Sequence, residues 1–233
     1  MIFAVDLEAS TTRTNPEKGD LRRIMYDVLE QALEASGIGP RHVDLWADRG
    51  DGVLILIRPH DDVPKTVLFA GLIPELTTLL AEHNATVSRP ELRIRLRAVI
   101  HAGEVHYDGR GVYGDDIDVA FRLLNARTVK RALKMAASAP LVLVVSEEIF
   151  FGILRHGYVD GGPYQQRVHV QVGQTQRRGR LQIPVPARYE LLVPMPQAPM
   201  APAAPTIVSP TAAPELAMAG SVSGRAEPPP GRG

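Results

Sequence analysis

The stretch RHVDLWADRGDGVLILI (residues 41–57) holds two apolar runs parted by Gly50-Asp51-Gly52. An Asp-Gly pair between such runs is a strong hairpin signal, because the tight turn that joins two antiparallel strands needs residues that tolerate positive φ. The hairpin fixes the reading on either side of it. Upstream, Leu21, Ile24, Met25, Val28, Leu29, Ala32 and Leu33 recur at helical spacing between Gly19 and Ser36, and Gly37 is placed to cap the end. Before that helix, Ile2 to Leu7 is a short apolar run, the mark of a buried strand. Downstream, the spacing predicts a helix over 63–82, with Pro64 near its start and a kink or break at Pro74. Leu92, Ile94 and Leu96 then alternate with Arg93, Arg95 and Arg97. That period of two predicts a strand with one buried and one polar face, the arginines forming a solvated sheet face. The strand is expected to run on through Val99 and Ile100 to Gly103 and to turn into a second hairpin arm, Glu104 to Tyr107.

Further along, the pattern predicts a helix over 116–135, a buried strand over 141–145, a short helix over 147–154, and strands near 167–172 and 187–193. The sequence of elements predicts an α+β fold, helices packed on a largely antiparallel sheet. Ten of the 20 prolines fall in residues 194–233, where there is no aromatic residue and only four charged ones. Such a segment buries too little apolar surface to offset the entropy of ordering its backbone, so the folded domain is expected to span 1–193 and the Pro/Ala-rich tail to be disordered.

Composition narrows the function. The 26 Lys+Arg balance the 26 Asp+Glu across 233 residues, so no excess of positive charge points to nucleic acid or to an anionic membrane surface. The absence of cysteine excludes a disulfide framework, a thiolate zinc site and cysteine catalysis, and fits a reducing compartment. With no apolar run near ~18 residues and no signal-peptide pattern at the start, a cytoplasmic protein that does not enter the membrane is expected.

Three stretches carry candidate chemistry: Asp6-Leu7-Glu8-Ala9-Ser10-Thr11 at the end of the first strand, Gly50-Asp51-Gly52-Val53 at the hairpin tip, and His101-Ala102-Gly103-Glu104-Val105 followed by residues 111–123, GVYGDDIDVAFRL. A strand end and a hairpin tip on neighbouring strands bring Asp6 and Asp51 within reach of the same divalent cations, and hard carboxylate oxygens suit magnesium or manganese. Taken singly, Asp51 reads first as the Asp of a tight turn, Ser10 and Thr11 as cap or turn residues, and an isolated Arg such as Arg122 as a solvated helix residue; the joint occurrence reverses that order. His101 reads as a structural residue before Gly103.

In order and spacing the three stretches together resemble the class III adenylate/guanylate cyclase homology domain over about residues 1–193. The resemblance implies a ferredoxin-like class III nucleotidyl cyclase fold, two Mg2+ or Mn2+ ions on Asp6 and Asp51, and a phosphate-binding turn at Ala9, Ser10 and Thr11. It also implies a homodimer in which Arg122 and the ribose-orienting position, Asp118, serve the partner's site. Three positions depart from the family pattern. The base-recognising lysine falls on Ala47, the second base-selecting residue on Gly111, and the ribose-orienting asparagine on Asp118, which lacks the amide donor and adds negative charge. Arg49, two residues from Ala47 along the strand, is placed to reach the space left there.

The chain is thus expected to bind a metal–nucleoside triphosphate and to form a 3′,5′-cyclic nucleotide weakly. The alternative is an inactive pseudo-cyclase that senses nucleotide or dimerises to regulate a signalling partner.

Overall fold

The fold is that of a computed structural model in which residues 1–58, 60–159, 162–164 and 166–186 are described. Strand β1 (Ile2–Leu7) leads through a one-turn 3-10 segment, Ser10–Thr12, into helix α1 (Asn15–Ala35). The helix starts four residues earlier than its apolar stripe predicts, because Thr14 and Glu17 close a capping box and Pro16 sits in the first turn, where its missing N–H costs nothing. Strands β2 (Val43–Asp48) and β3 (Gly52–Ile57) form the expected hairpin.

Helix α2 (Ile73–Thr86) is entered through a π-helical turn, Leu68–Leu72. The helix expected from Val63 therefore begins later and is neither broken nor ended at Pro74. The wider turn lies just ahead of the proline, whose ring would otherwise clash with the carbonyl four residues back.

Strand β4 (Leu96–His101) is shorter than its alternation predicts, since Pro90–Leu92 is a 3-10 turn and the ladder begins only at Leu96. Strands β5 (His106–Tyr107) and β6 (Val112–Tyr113) pair with each other as a separate ribbon, so the arm expected at 104–107 does not return along β4. The helix expected over 116–135 is two, α3 (Asp115–Leu124) and α4 (Arg127–Met135), parted at Asn125-Ala126. Then come β7 (Leu141–Ser146), α5 (Glu147–Gly152), β8 (Gln166–Val172) and β9 (Thr175–Gln182). No pattern in the sequence marks β9. The strand expected near 187–193 and the tail 194–233 lie outside the described residues.

The main sheet runs β2-β3-β1-β4-β7-β9-β8. Its first four strands, with α1 and α2, make the βαββαβ order of a ferredoxin-like unit, every neighbouring pair antiparallel. Among the described residues β4 and β7 are the one parallel pair, joined by the crossover that holds α3 and α4.

Alternate residues of the central strands feed two cores. Phe3, Val5, Leu7, Val53, Ile55, Leu96, Ala98 and Ile100 meet α1 and α2 on one face. Ile2, Ala4, Leu54, Val99, Val142 and Val144 meet α3 and α4 on the other. Each fully buried Val, Leu, Ile or Phe among them contributes about 1.5–3 kcal/mol. The α+β fold with a largely antiparallel sheet is as predicted, with helices on both faces.

Candidate functional site

Asp6 stands on the α3/α4 face of β1, opposite Gly52 of β3 and Arg97 of β4. Gly52 is required there, because a Cβ on it would lie 2.3 Å from the Val5 carbonyl oxygen. The turn between β2 and β3 is pinned twice. Asp48 accepts the Gly50 N–H at 2.7 Å, and Arg22 of α1 binds both Asp48 and the Gly50 carbonyl. The backbone carbonyl of Asp51 accepts the Leu7 N–H at 2.9 Å, and its carboxylate Oδ2 accepts the Ser10 hydroxyl. Between them, β1 and the hairpin turn therefore bring the two aspartates to one place.

That place is a cleft of about 420 Å³ lined by Asp6, Ala9, Ser10, Thr11, Arg49 and Asp51, six of the residues expected from the sequence. Arg49 reaches it from the turn and not from the strand face, since β2 ends at Asp48, and its guanidinium lies 4.7 Å from the centre of the Phe121 ring. Ala9 turns the chain with φ 56° and ψ 30°. Asp118 and Arg122 do not line the cleft. Both are exposed on α3, one helical turn apart.

The cleft also contains cations that the sequence pattern places in solvent or leaves unmarked. Arg97 is ion-paired with Asp6, and the two side chains are only 11% and 14% exposed. Lys130 of α4 and Asn125 lie along the wall. Arg95 is likewise no solvated residue: its guanidinium binds the carbonyls of Ala136 (2.8 Å) and Ala139 (3.0 Å) behind α4 and meets Glu8 at 3.1 Å. The alternation at 92–97 correctly gives two faces, but α3 and α4 cover the one that carries Arg95 and Arg97.

Burial pushes the Asp6 carboxyl above the usual carboxylate range. The Arg97 guanidinium pulls it down by less, and the nearby Asp51 adds to the upward push. One buried oxygen, Asp6 Oδ1, has no hydrogen-bond partner among the described residues. An orphaned carboxylate oxygen beside a second carboxylate is a donor set that fits a hard divalent cation.

Behind the site, His101 is buried as expected, with Nδ1 2.8 Å from the Ser146 hydroxyl and Nε2 3.0 Å from Asp116. Asp116 also accepts the Glu104 N–H at 2.7 Å, which ties the start of α3 to the end of β4. Gly103 leaves room for that carboxylate, since a Cβ there would sit 2.1 Å from its carbon. At the far end of the β2–β3 hairpin, His42, His60 and Asp62 also gather. Arg41 binds both Asp62 and His42 there, so a fixed positive charge already stands where a cation would.

No family model and no curated protein matches the sequence. Solved structures do. The adenylate/guanylate cyclase/hydrolase from Silicibacter pomeroyi is similar over 78% of this chain and 96% of its own, at 16% identity and a TM-score of 0.50. The adenylyl cyclase CyaB from P. aeruginosa is similar over 78% and 92% respectively, at 11% identity and a TM-score of 0.46. The chain has a class III cyclase-like fold.

Proposed function

We propose that the cleft between β1 and the β2–β3 turn binds a nucleoside triphosphate with a divalent cation, and that two copies of the chain together cyclise it weakly to a 3′,5′-cyclic nucleotide and pyrophosphate. The observation that carries the reading is the meeting of Asp6 and Asp51 in one cleft, one carboxylate with an unmatched buried oxygen. Asp6 and Asp51 would hold the ion, which when bound offsets phosphate charge and lowers the pKa of the attacking ribose hydroxyl. Arg49 and Lys130 line the same walls and would bind phosphate oxygens, while the Ala9–Thr11 turn would cradle the chain of phosphates. Arg122, exposed on α3, would reach the partner's cleft and stabilise charge on the phosphates there.

The substitutions at Ala47, Gly111 and Asp118 favour weak turnover and poor base selection. They also support a second reading, in which the bound state alone regulates a signalling partner. In either case the ligand is a cytoplasmic metabolite and the domain works there. No helix among the described residues is long and apolar enough to cross a membrane.

The test is calorimetric titration of wild type, Asp6→Asn and Asp51→Asn with each of the four nucleoside triphosphates plus Mn2+. Losing a direct ligand should weaken binding by more than the roughly 10–100-fold that an outer-shell partner is worth. Equal affinity in the three proteins would sink the metal-site assignment. Product analysis then separates weak turnover from regulation alone.

A further inference from the structure

Two side chains that line the cleft each keep one buried polar atom without a partner among the described residues: Asp6 Oδ1 and Arg97 Nε. Through their other atoms they hold each other, a terminal nitrogen of Arg97 donating to Asp6 Oδ2. The neighbouring carboxylate is half engaged in the same way, by the Ser10 hydroxyl on Asp51 Oδ2. An unmatched acceptor and an unmatched donor are both costly when buried. The ligand that satisfies both at once is a cation for the oxygen that carries an acceptor oxygen for the N–H. A metal-bound phosphate has that composition.

Two ions bridged by two aspartates would call on both oxygens of each carboxylate, and here one oxygen of each already accepts a side-chain hydrogen bond that competes with a second ion. Clearing Asp6 Oδ2 for a second ion would break an ion pair whose side chains are only 11% and 14% exposed and bring that ion's charge against the guanidinium.

Resting on the nucleotide reading above, we infer that the cleft takes a single divalent ion with its triphosphate, held by Asp6 Oδ1 and Asp51, and that Arg97 stands in for the second cation. Its terminal nitrogen keeps Asp6 Oδ2, and its Nε–H donates to a phosphate oxygen. The two-ion arrangement implied by the family resemblance gives way to one ion and one arginine.

Equilibrium dialysis of the full chain against ATP at saturating free Mn2+, with manganese and ATP both counted in the protein compartment, reads the stoichiometry directly. One Mn2+ per bound ATP is expected. A ratio of two with ATP bound overturns this inference and leaves the nucleotide reading standing, whereas no bound ATP overturns both. Arg97→Gln removes the charge and is expected to raise the ratio to two or to weaken ATP binding at least tenfold. A ratio of one at unchanged affinity in that variant would strip Arg97 of the role. Arg97→Lys keeps the charge without the Nε donor and is expected to keep the ratio at one with weaker binding, and the wild-type count decides the matter even where a variant fails to fold.

Discussion

Ala9 is the one non-glycine residue among those described with positive φ. The left-handed conformation costs an L-residue with a Cβ about 1–2 kcal/mol, and glycine's greater freedom in the unfolded chain returns roughly 0.5–1 of that. Ala9→Gly is therefore expected to stabilise the protein by a few tenths to about 1 kcal/mol in urea denaturation. A net loss would mean that the Ala9 methyl group contributes packing which outweighs the strain. The strain sits where Ser10 must be delivered to Asp51, which is where a costly backbone is tolerated for the sake of a site. Arg97 shows the limit of reading residues from sequence. Its alternation with Leu96 and Ala98 says that it faces the other way from the core, but not whether that side is water or a second layer of helices.

At the scale of elements, the β2–β3 turn is held by Asp48 acting through Arg22 and Gly50. The Arg22 guanidinium first, and then the Gly50 N–H, hold the Asp48 carboxyl down at about 2. Because the folded value lies below the ordinary 3.8 of the unfolded chain, this contribution is complete above that pH and is lost as the pH falls towards about 2. Asp48 is half exposed, so the effect is modest. Asp48→Asn should flatten that part of the acid denaturation curve, and it should weaken Mn2+–ATP binding severalfold by loosening the turn that presents Asp51. Unchanged binding would show that the turn holds its shape unaided.

The hairpin itself was legible in the sequence because a Gly-Asp-Gly between apolar runs has few other uses. β9 was not, because Gln176, Arg177, Arg178 and Arg180 carry no alternating apolar signal. Only Gly179 and Leu181 are buried along that strand, and Arg180 finds its place by lying 3.8 Å from the centre of the Phe150 ring. The site divides in the same way. Asp6, Asp51, Ser10 and Arg49 stand next to recognisable turns, whereas Arg97 and Lys130 reach the cleft only through strand pairing and helix packing that no local pattern encodes.

At the scale of the whole molecule, Asp118 and Arg122 are exposed on α3 and do not line their own cleft, and in the proposed function a second copy brings them to the nucleotide. Light scattering at micromolar concentration is expected to give a dimer in the presence of Mn2+–ATP. Mixing Asp51→Asn with Arg122→Ala should restore cyclic-nucleotide formation that each lacks alone, since one of the two composite sites in a mixed dimer is intact. No recovery on mixing would mean that each chain works by itself.

The sheet order has a kinetic consequence. β1 is hydrogen-bonded on both sides, to β3, which begins at Gly52, and to β4, which begins at Leu96. It therefore leaves the ribosome before either partner exists, and the loops that must close to flank it are long. The cleft cannot be completed early. Asp6, Asp51 and Arg97 meet only when the three central strands have zipped together, so the amides of Val5 and Leu7 should exchange with deuterium only through global unfolding, and metal binding should appear in the last phase of refolding.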